Sequence, residues 1–219
     1  SLLVELYADL HWNSPEPSER LLALQSRIVA RLNSQKTSPI YDRIVVTGTA
    51  KTTDRCLTQT SISDGLQVAN LIGTVKKEGF QPGPLAHQDP ANLDSALKKA
   101  STVLSAILEL FKATAIVNWE LGDRPGGYLC TNIGIRALLL VVSDICSHVA
   151  LQNQGISLST YDADDLIDEI SKYLVPVVAF FGSASTDQVQ AFRNQGSSLA
   201  AVKRQSMGMN VHIQSLHRK

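Results

Sequence analysis

Apolar residues recur at intervals of three and four along most of this chain, the spacing that places them on one face of an α-helix. Leu93, Leu97, Leu104 and Phe111 give the most regular example. By the same pattern, helices are predicted at residues 2–10, about 16–34, from Asp64 to Gly73 or Gly79, 91–118, about 131–151, after Asp162 and about 197–215. The predicted fold class is therefore mainly α.

The helix predicted at 131–151 is apolar on nearly every side between Ile133 and Val142, so it should occupy a central, buried position. Thr131 or Asn132 is its expected N-cap, because either side chain can accept a hydrogen bond from a free backbone N–H. The helix after Asp162 opens with the acidic segment YDADDLIDE, whose carboxylates suit a helix N-terminus. Pro176 is expected to kink or end that helix.

Two short stretches have the composition of β-strands, RIVVTG at 43–48 and CLTQTS at 56–61. The residues between them, TAKTTDR, are typical of a turn or short loop. The pattern predicts one small antiparallel β-hairpin at about 43–61, and no other sheet, in a single helical domain that fills residues 1–219. The segment EGFQPGPLAHQDP at 78–90 is predicted to be a loop because it is rich in proline and glycine.

Composition and charge narrow the classes of function. Apolar residues make up 44% of the chain and the formal net charge is zero, so any nucleic-acid binding must come from local clustering of cations. The longest apolar runs, at 137–142 and 174–181, are shorter than the roughly 20 residues that cross a bilayer, so no membrane association is predicted. The three cysteines form no CxxC pair, which favours buried free thiols and a reducing, cytoplasmic location.

No established catalytic or metal-binding motif is present. The histidines form no HExxH, there is no GxSxG, and the acidic segment at 161–169 lacks the glycine and glutamate of an EF-hand loop. The segment GDRPGGYLCT leads into a predicted helix, so a phosphate-cradling loop is one interpretation and a plain interhelix turn is the other. We predict no catalytic residue, no metal and no cofactor.

A cluster of positive charge is the one clear asymmetry of the sequence. Residues 193–219 contain Arg193, Lys203, Arg204, Arg218 and Lys219 and no acidic residue. These cations either contact phosphates or form a solvated helix face, and the sequence leaves both possibilities open. The predicted hairpin carries a second candidate group, formed by Arg43, Lys51 and Arg55.

Several segments, taken in order, resemble the C-terminal half of DGQHR-domain proteins, a family that includes DndB-like regulators of DNA phosphorothioate modification. The most specific of them are LNSQKTSPIYDRI and TNIGIRALL. SLLVELYADL and LFKATAIVNW at 110–119 also resemble family segments. The resemblance implies a non-catalytic DNA-binding or regulatory domain of a DNA-modification or phage-defence protein.

The tetrapeptide DGLQ at 64–67 departs from the family motif Asp-Gly-Gln-His-Arg, because it has neither the histidine nor the arginine. It also follows SPIYDRI, whereas the motif precedes that segment in the family. Asp64 is therefore interpreted as a helix start, and the chain as the C-terminal part of a larger protein. The alternative function is a helical module that docks a partner protein, its own N-terminal domain or a second copy.

Overall fold

The computed structural model describes residues 2–45, 50–77 and 79–214. Most of the described chain is helical, as the apolar spacing predicts, and the mainly α fold class is confirmed. The helices are α1 (Leu2–His11), α2 (Pro17–Ser34), α3 (Gln59–Val68), α4 (Leu93–Thr114), α5 (Ile116–Leu121), α6 (Asn132–Gln152), α7 (Ala163–Ser183), α8 (Thr186–Arg193) and α9 (Leu199–Gln214).

Two short strand pairs accompany the helices: β1 (Ile44–Val45) with β2 (Leu57–Thr58), and β3 (Gly73–Lys76) with β4 (Gly79–Pro82). The prediction of an antiparallel hairpin at 43–61 is wrong, because β1 and β2 run parallel to each other. Parallel pairing requires the chain between two strands to return to the same end of the pair, which no tight turn achieves.

The antiparallel hairpin lies further along the chain, between β3 and β4, where Thr74 pairs with Gln81 and Val75 with Phe80. This region was predicted to be the end of a helix and a loop. The glycines that favour a loop are used at the strand ends, since Gly73 and Gly79 both have positive φ. Pro82 is tolerated because it ends the strand, where a missing N–H costs little.

Several helix boundaries also differ from prediction. α3 begins at Gln59, capped by the Thr58 side chain, so Asp64 lies inside the helix instead of starting it. The segment predicted as one helix at 91–118 is two, because the backbone leaves helical geometry at Ala115. α7 continues through Pro176 to Ser183, and α8 was not predicted.

α6 forms the centre of the fold, packed against α3, α7 and α9. By length and composition alone it could cross a membrane, but 56% of its most apolar window is buried inside the described structure, as expected for a core helix. Thr131 is its N-cap and accepts a hydrogen bond from the backbone N–H of Gly134, which confirms the predicted start. The position of α6 fixes where its N-terminus, and any site there, must lie.

Candidate functional site

A cleft of about 440 Å³ lies at the N-terminus of α6. Its walls come from the segment before β2, from α3, from the turn between α5 and α6, from the first turns of α6 and from the end of α8. The side chains that line it are those of Lys51, Ser61, Asp123, Tyr128, Thr131, Asn132, Ile133, Arg136, Arg193 and Ser197.

One wall of the cleft is the GDRPGG turn at 122–127, which Arg193 holds in place. The Arg193 guanidinium donates to the carbonyl oxygens of Arg124 at 2.7 Å, Gly127 at 2.5 Å and Asp123 at 2.9 Å. A side chain at Gly127 would lie 2.3 Å from the Gly122 carbonyl oxygen, so this tight turn requires a glycine there. The turn is thereby fixed against the end of α8.

A buried amide fastens the other end of the same turn. The Asn118 side-chain oxygen accepts hydrogen bonds from the backbone N–H groups of Tyr128 and Leu129, at 3.2 and 2.9 Å. Its amide nitrogen donates to the Gly126 carbonyl at 3.3 Å. Because the turn is anchored at both ends, the groups that it presents to the cleft are preorganised.

The first turn of α6 contributes free backbone donors. Thr131 caps the N–H of Gly134 at 3.0 Å, and the Asn132 side-chain oxygen accepts from the backbone N–H of Thr58 at 2.8 Å. Among the described residues, the backbone N–H groups of Asn132 and Ile133 have no acceptor. Such groups carry the positive end of the helix dipole and attract anions.

The charged side chains of the cleft are three cations and one carboxylate, so its formal charge is positive. Lys51 pairs with Asp123 at 2.6 Å, which neutralises one cation. Arg136 makes no ion pair or side-chain hydrogen bond with any residue in the described ranges. Three of the five guanidinium N–H groups of Arg193 hold the turn, which leaves two for a ligand.

The structure therefore brings together residues from both predicted basic groups. Lys51 and Arg193 line the same cleft although they are far apart in sequence. Arg136 was missed, because one arginine in an apolar helix has no distinctive spacing. The one sequence signal for it is its position one turn into the helix that follows GDRPGG, the segment for which a phosphate-cradling role was an open interpretation.

The two hairpin arginines have structural partners instead. Arg43 forms an ion pair with Glu120 and lies 4.0 Å from the Cys130 sulfur. Arg55 makes a two-pronged contact with Asp42, at 3.0 and 2.7 Å, and this contact lowers the pKa of the Asp42 carboxyl. Neither guanidinium lines the cleft, so of this predicted group Lys51 alone contributes to it.

The remaining predicted cations lie on or beyond α9. Lys203 and Arg204 are exposed on its outer face and form no ion pair within the described ranges. The face that carries them is opposite Val202 and Met209, which are fully buried. Arg218 and Lys219 lie outside the described residues.

The acidic segment at 161–169 serves as a helix start, as predicted. The Asp162 side chain accepts the backbone N–H of Asp165 at 2.8 Å. Across residues 2–45, 50–77 and 79–214, no group of three histidine, cysteine, aspartate or glutamate side chains is placed to hold a metal ion.

Comparisons of the chain with protein-family models, with curated proteins and with solved structures found no match.

Proposed function

We propose that this domain binds the phosphate backbone of DNA, with the cleft at the N-terminus of α6 as its principal contact. The observation that carries the proposal is the convergence of Lys51, Arg136 and Arg193, from three separate segments, on one preorganised cleft. The family resemblance supports the same ligand, since it implies a non-catalytic DNA-binding or regulatory domain of a DNA-modification or phage-defence protein. The proposed setting is the cytoplasm, where the three free cysteines would stay reduced.

The donors of the cleft suit phosphate oxygens. A backbone phosphate has a single negative charge spread over two free oxygens, and it is bound in proteins by guanidinium groups and helix N-termini. The cleft offers both kinds of donor, because the N–H groups of Asn132 and Ile133 lie beside the Arg136 and Arg193 side chains. Lys203 and Arg204, exposed on α9, are proposed as a second, peripheral contact.

Arg136→Gln is the sharpest test of the cleft. Arg136 has no structural partner among the described residues, so the variant should fold normally, whereas a change at Arg193 would release the 122–127 turn. We expect Arg136→Gln to weaken binding to a short duplex DNA and to reduce the slope of log affinity against log salt by about one. Fluorescence anisotropy titrations at several salt concentrations measure both quantities.

Lys77→Gln is the matched control, since it removes one exposed positive charge from the β3–β4 turn, outside the cleft. It should leave the affinity and the salt slope close to those of the wild-type protein. The double variant Lys203→Gln, Arg204→Gln measures the contribution of α9 separately. If the wild-type protein bound no DNA at about 50 mM salt, or if Arg136→Gln bound as well as Lys77→Gln, the proposal would fail.

A protein-docking module is the second candidate, and one observation favours it. Leu6 and Leu10 lie one turn apart on α1 and are 52% and 70% exposed. An apolar helix face of this kind is typical of a surface that packs against another protein. Light scattering on the wild-type protein and on Leu10→Gln distinguishes DNA binding from protein docking. Docking to a second copy is favoured if the wild-type protein is a dimer that binds no DNA and if Leu10→Gln is a monomer.

A further inference from the structure

Two of the three cysteines lie side by side beneath the GDRPGG turn, although they are 74 residues apart in the sequence. The Cys56 thiol donates to the carbonyl oxygen of Cys130 at 3.0 Å, and the Arg43 guanidinium lies 4.0 Å from the Cys130 sulfur. Both side chains are fully buried. The Cys56 sulfur packs against Gly122, since a side chain added there would lie 3.1 Å from it.

The surroundings of this pair make Cys56 the more acidic of the two thiols. The Cys130 side chain, together with the nearby Arg43 guanidinium, lowers the pKa of the Cys56 thiol, although burial and the Asp123 carboxylate act in the opposite direction. The neighbouring Cys56 side chain and burial raise the pKa of the Cys130 thiol. A thiolate beside a protonated thiol is the arrangement in which one sulfur attacks an oxidant and the other resolves the product.

Cys146 provides an internal comparison. It lies in α6, and burial raises the pKa of its thiol to about 12. Within the described part of the chain it lacks a second thiol, so burial alone does not explain the environment of Cys56.

Because both thiols are buried, an oxidant reaches them only when the segment before Cys56 opens locally. Residues 51–54, which precede Cys56, are exposed and are held by two hydrogen bonds between Thr52 and Arg55 and by the ion pair of Lys51 with Asp123. A segment with so few contacts opens locally at a low free-energy cost, without unfolding the helices below it.

We infer that Cys56 and Cys130 form a redox-sensitive thiol pair, which hydrogen peroxide converts into a disulfide. The Cys56 thiolate attacks one peroxide oxygen, the O–O bond breaks, and the departing hydroxide takes up a proton, giving a sulfenic acid and water. The Cys130 sulfur loses its proton, attacks the sulfenic sulfur and displaces hydroxide, which leaves as a second water. Two thiols are thus oxidised while one peroxide is reduced to two waters.

The test is peptide mapping of the native full chain after brief treatment with hydrogen peroxide, followed by alkylation of the remaining thiols. Trypsin cleavage after Arg55, Lys112 and Arg136 leaves the three cysteines on three different peptides. We expect a cross-linked peptide that joins Cys56 to Cys130 and that disappears on reduction. Cys146 should be recovered in its alkylated, unoxidised form.

Three variants sharpen the result. Cys146→Ser should form the disulfide at the wild-type rate, whereas Cys130→Ser should stop at the sulfenic acid, which a dimedone probe detects at Cys56. Arg43→Gln should slow the oxidation of Cys56 several-fold, because it removes the cation beside the thiolate. If Arg43→Gln unfolded the protein, Cys146 would also become reactive. An unreactive Cys146 in this variant therefore shows that slower oxidation of Cys56 is not caused by unfolding.

The inference is overturned if the wild-type protein yields no peptide linking Cys56 to Cys130, or if Cys146 is oxidised as fast as Cys56. Both outcomes can be read from the wild-type protein alone. Neither depends on whether the cleft binds DNA.

Discussion

Lys99 is the clearest case in which a single residue has a property that its sequence position does not predict. It lies in α4, and a lysine is rarely buried in a folded protein, yet Lys99 is 7% exposed. Its ammonium donates to the carbonyl oxygens of Leu158 at 2.9 Å and Ser159 at 3.2 Å. Burial lowers its pKa to about 8, because the charged form loses its hydration.

This lowered pKa predicts a specific pH dependence of stability. Below pH 8 the ammonium is charged in both the folded and the unfolded chain, so the cost of burying it is fully present. Between pH 8 and 10.5 the unfolded chain binds more protons at Lys99, so the free energy of unfolding rises with pH. Each unit of difference between folded and unfolded pKa corresponds to about 1.4 kcal/mol, so the gain is at most about 3 kcal/mol.

Urea unfolding of the wild-type protein and of Lys99→Met at several pH values measures the contribution of Lys99 to the free energy of unfolding. The stability of the wild-type protein relative to Lys99→Met should increase as the pH rises from 8 to 10.5. Lys98→Met, which removes an exposed ammonium from the same helix, is the matched control. If both variants gave the same dependence on pH, burial of Lys99 would not be its cause.

Arg193 illustrates why charged residues are hard to interpret from sequence. The absence of acidic residues across 193–219 made it a candidate phosphate contact, yet its guanidinium also holds three carbonyl oxygens of the 122–127 turn. Those acceptors are backbone atoms some 70 residues away, so no pattern of side chains along the chain reveals them. The sequence identifies Arg193 as a candidate cation. The fold shows that it also holds the 122–127 turn while it lines the cleft.

At the scale of the element, helix starts follow from local chemistry when a strong N-cap is present. Thr131 and Asp162 cap α6 and α7 as predicted. In each case the side chain accepts a hydrogen bond from the backbone N–H three residues further on, so the whole contact lies within a short stretch of sequence. Asp64 failed as a start because Thr58 already caps α3 with a bond to Ser61. Two possible caps in one segment can be ranked only when their packing is known.

Two helical glycines provide a paired prediction. In α6, a side chain at Gly134 would lie 2.0 Å from the Tyr128 carbonyl oxygen, because the preceding turn crosses close to the helix. In α9, the nearest atom to a side chain at Gly208 would be a ring carbon of Phe192 at 3.4 Å. Glycine is therefore required in the first helix and only tolerated in the second.

We expect Gly134→Ala to reduce the free energy of unfolding by more than about 2 kcal/mol through the clash with backbone. Gly208→Ala should instead increase it by about 0.5–1 kcal/mol, because alanine restricts the unfolded chain and favours the helix. The urea midpoints of the two variants, compared with that of the wild-type protein, check both values. A destabilised Gly208→Ala would contradict the space observed at that position.

At the scale of the whole molecule, one hydrophobic cluster runs from Leu21 in α2 to Met209 in α9. It includes residues of each helix from α2 to α9 and no boundary divides it. A chain with a single continuous core is expected to unfold in one cooperative step. The protein should therefore behave as one unit, despite the number of its helices.

Urea unfolding followed by two spectroscopic probes checks whether the protein unfolds in one step. Far-ultraviolet circular dichroism reports the helices, and tryptophan fluorescence reports Trp119, which is fully buried in α5, and Trp12, which packs against the core from the segment after α1. The two curves should have the same midpoint. Separate midpoints would divide the molecule into independently folding parts.

The sequence is sufficient to predict the mainly α class, the central position of α6 and the caps of α6 and α7. Each of these follows from interactions within a few residues, or from the apolar period that decides which face is buried. The prediction that Pro176 kinks or ends α7 took account of the local loss of one backbone hydrogen bond only. Packing of the neighbouring apolar residues of α7 against the core outweighs that loss, and the helix continues.

Four features became visible in the folded chain alone: the parallel pairing of β1 with β2, the burial of Lys99, the contact of Cys56 with Cys130 and the cleft that joins Lys51, Arg136 and Arg193. All four depend on pairs of residues that are distant in the chain. Their contact energies become available only once the helices have docked, so they leave no period or motif in the sequence.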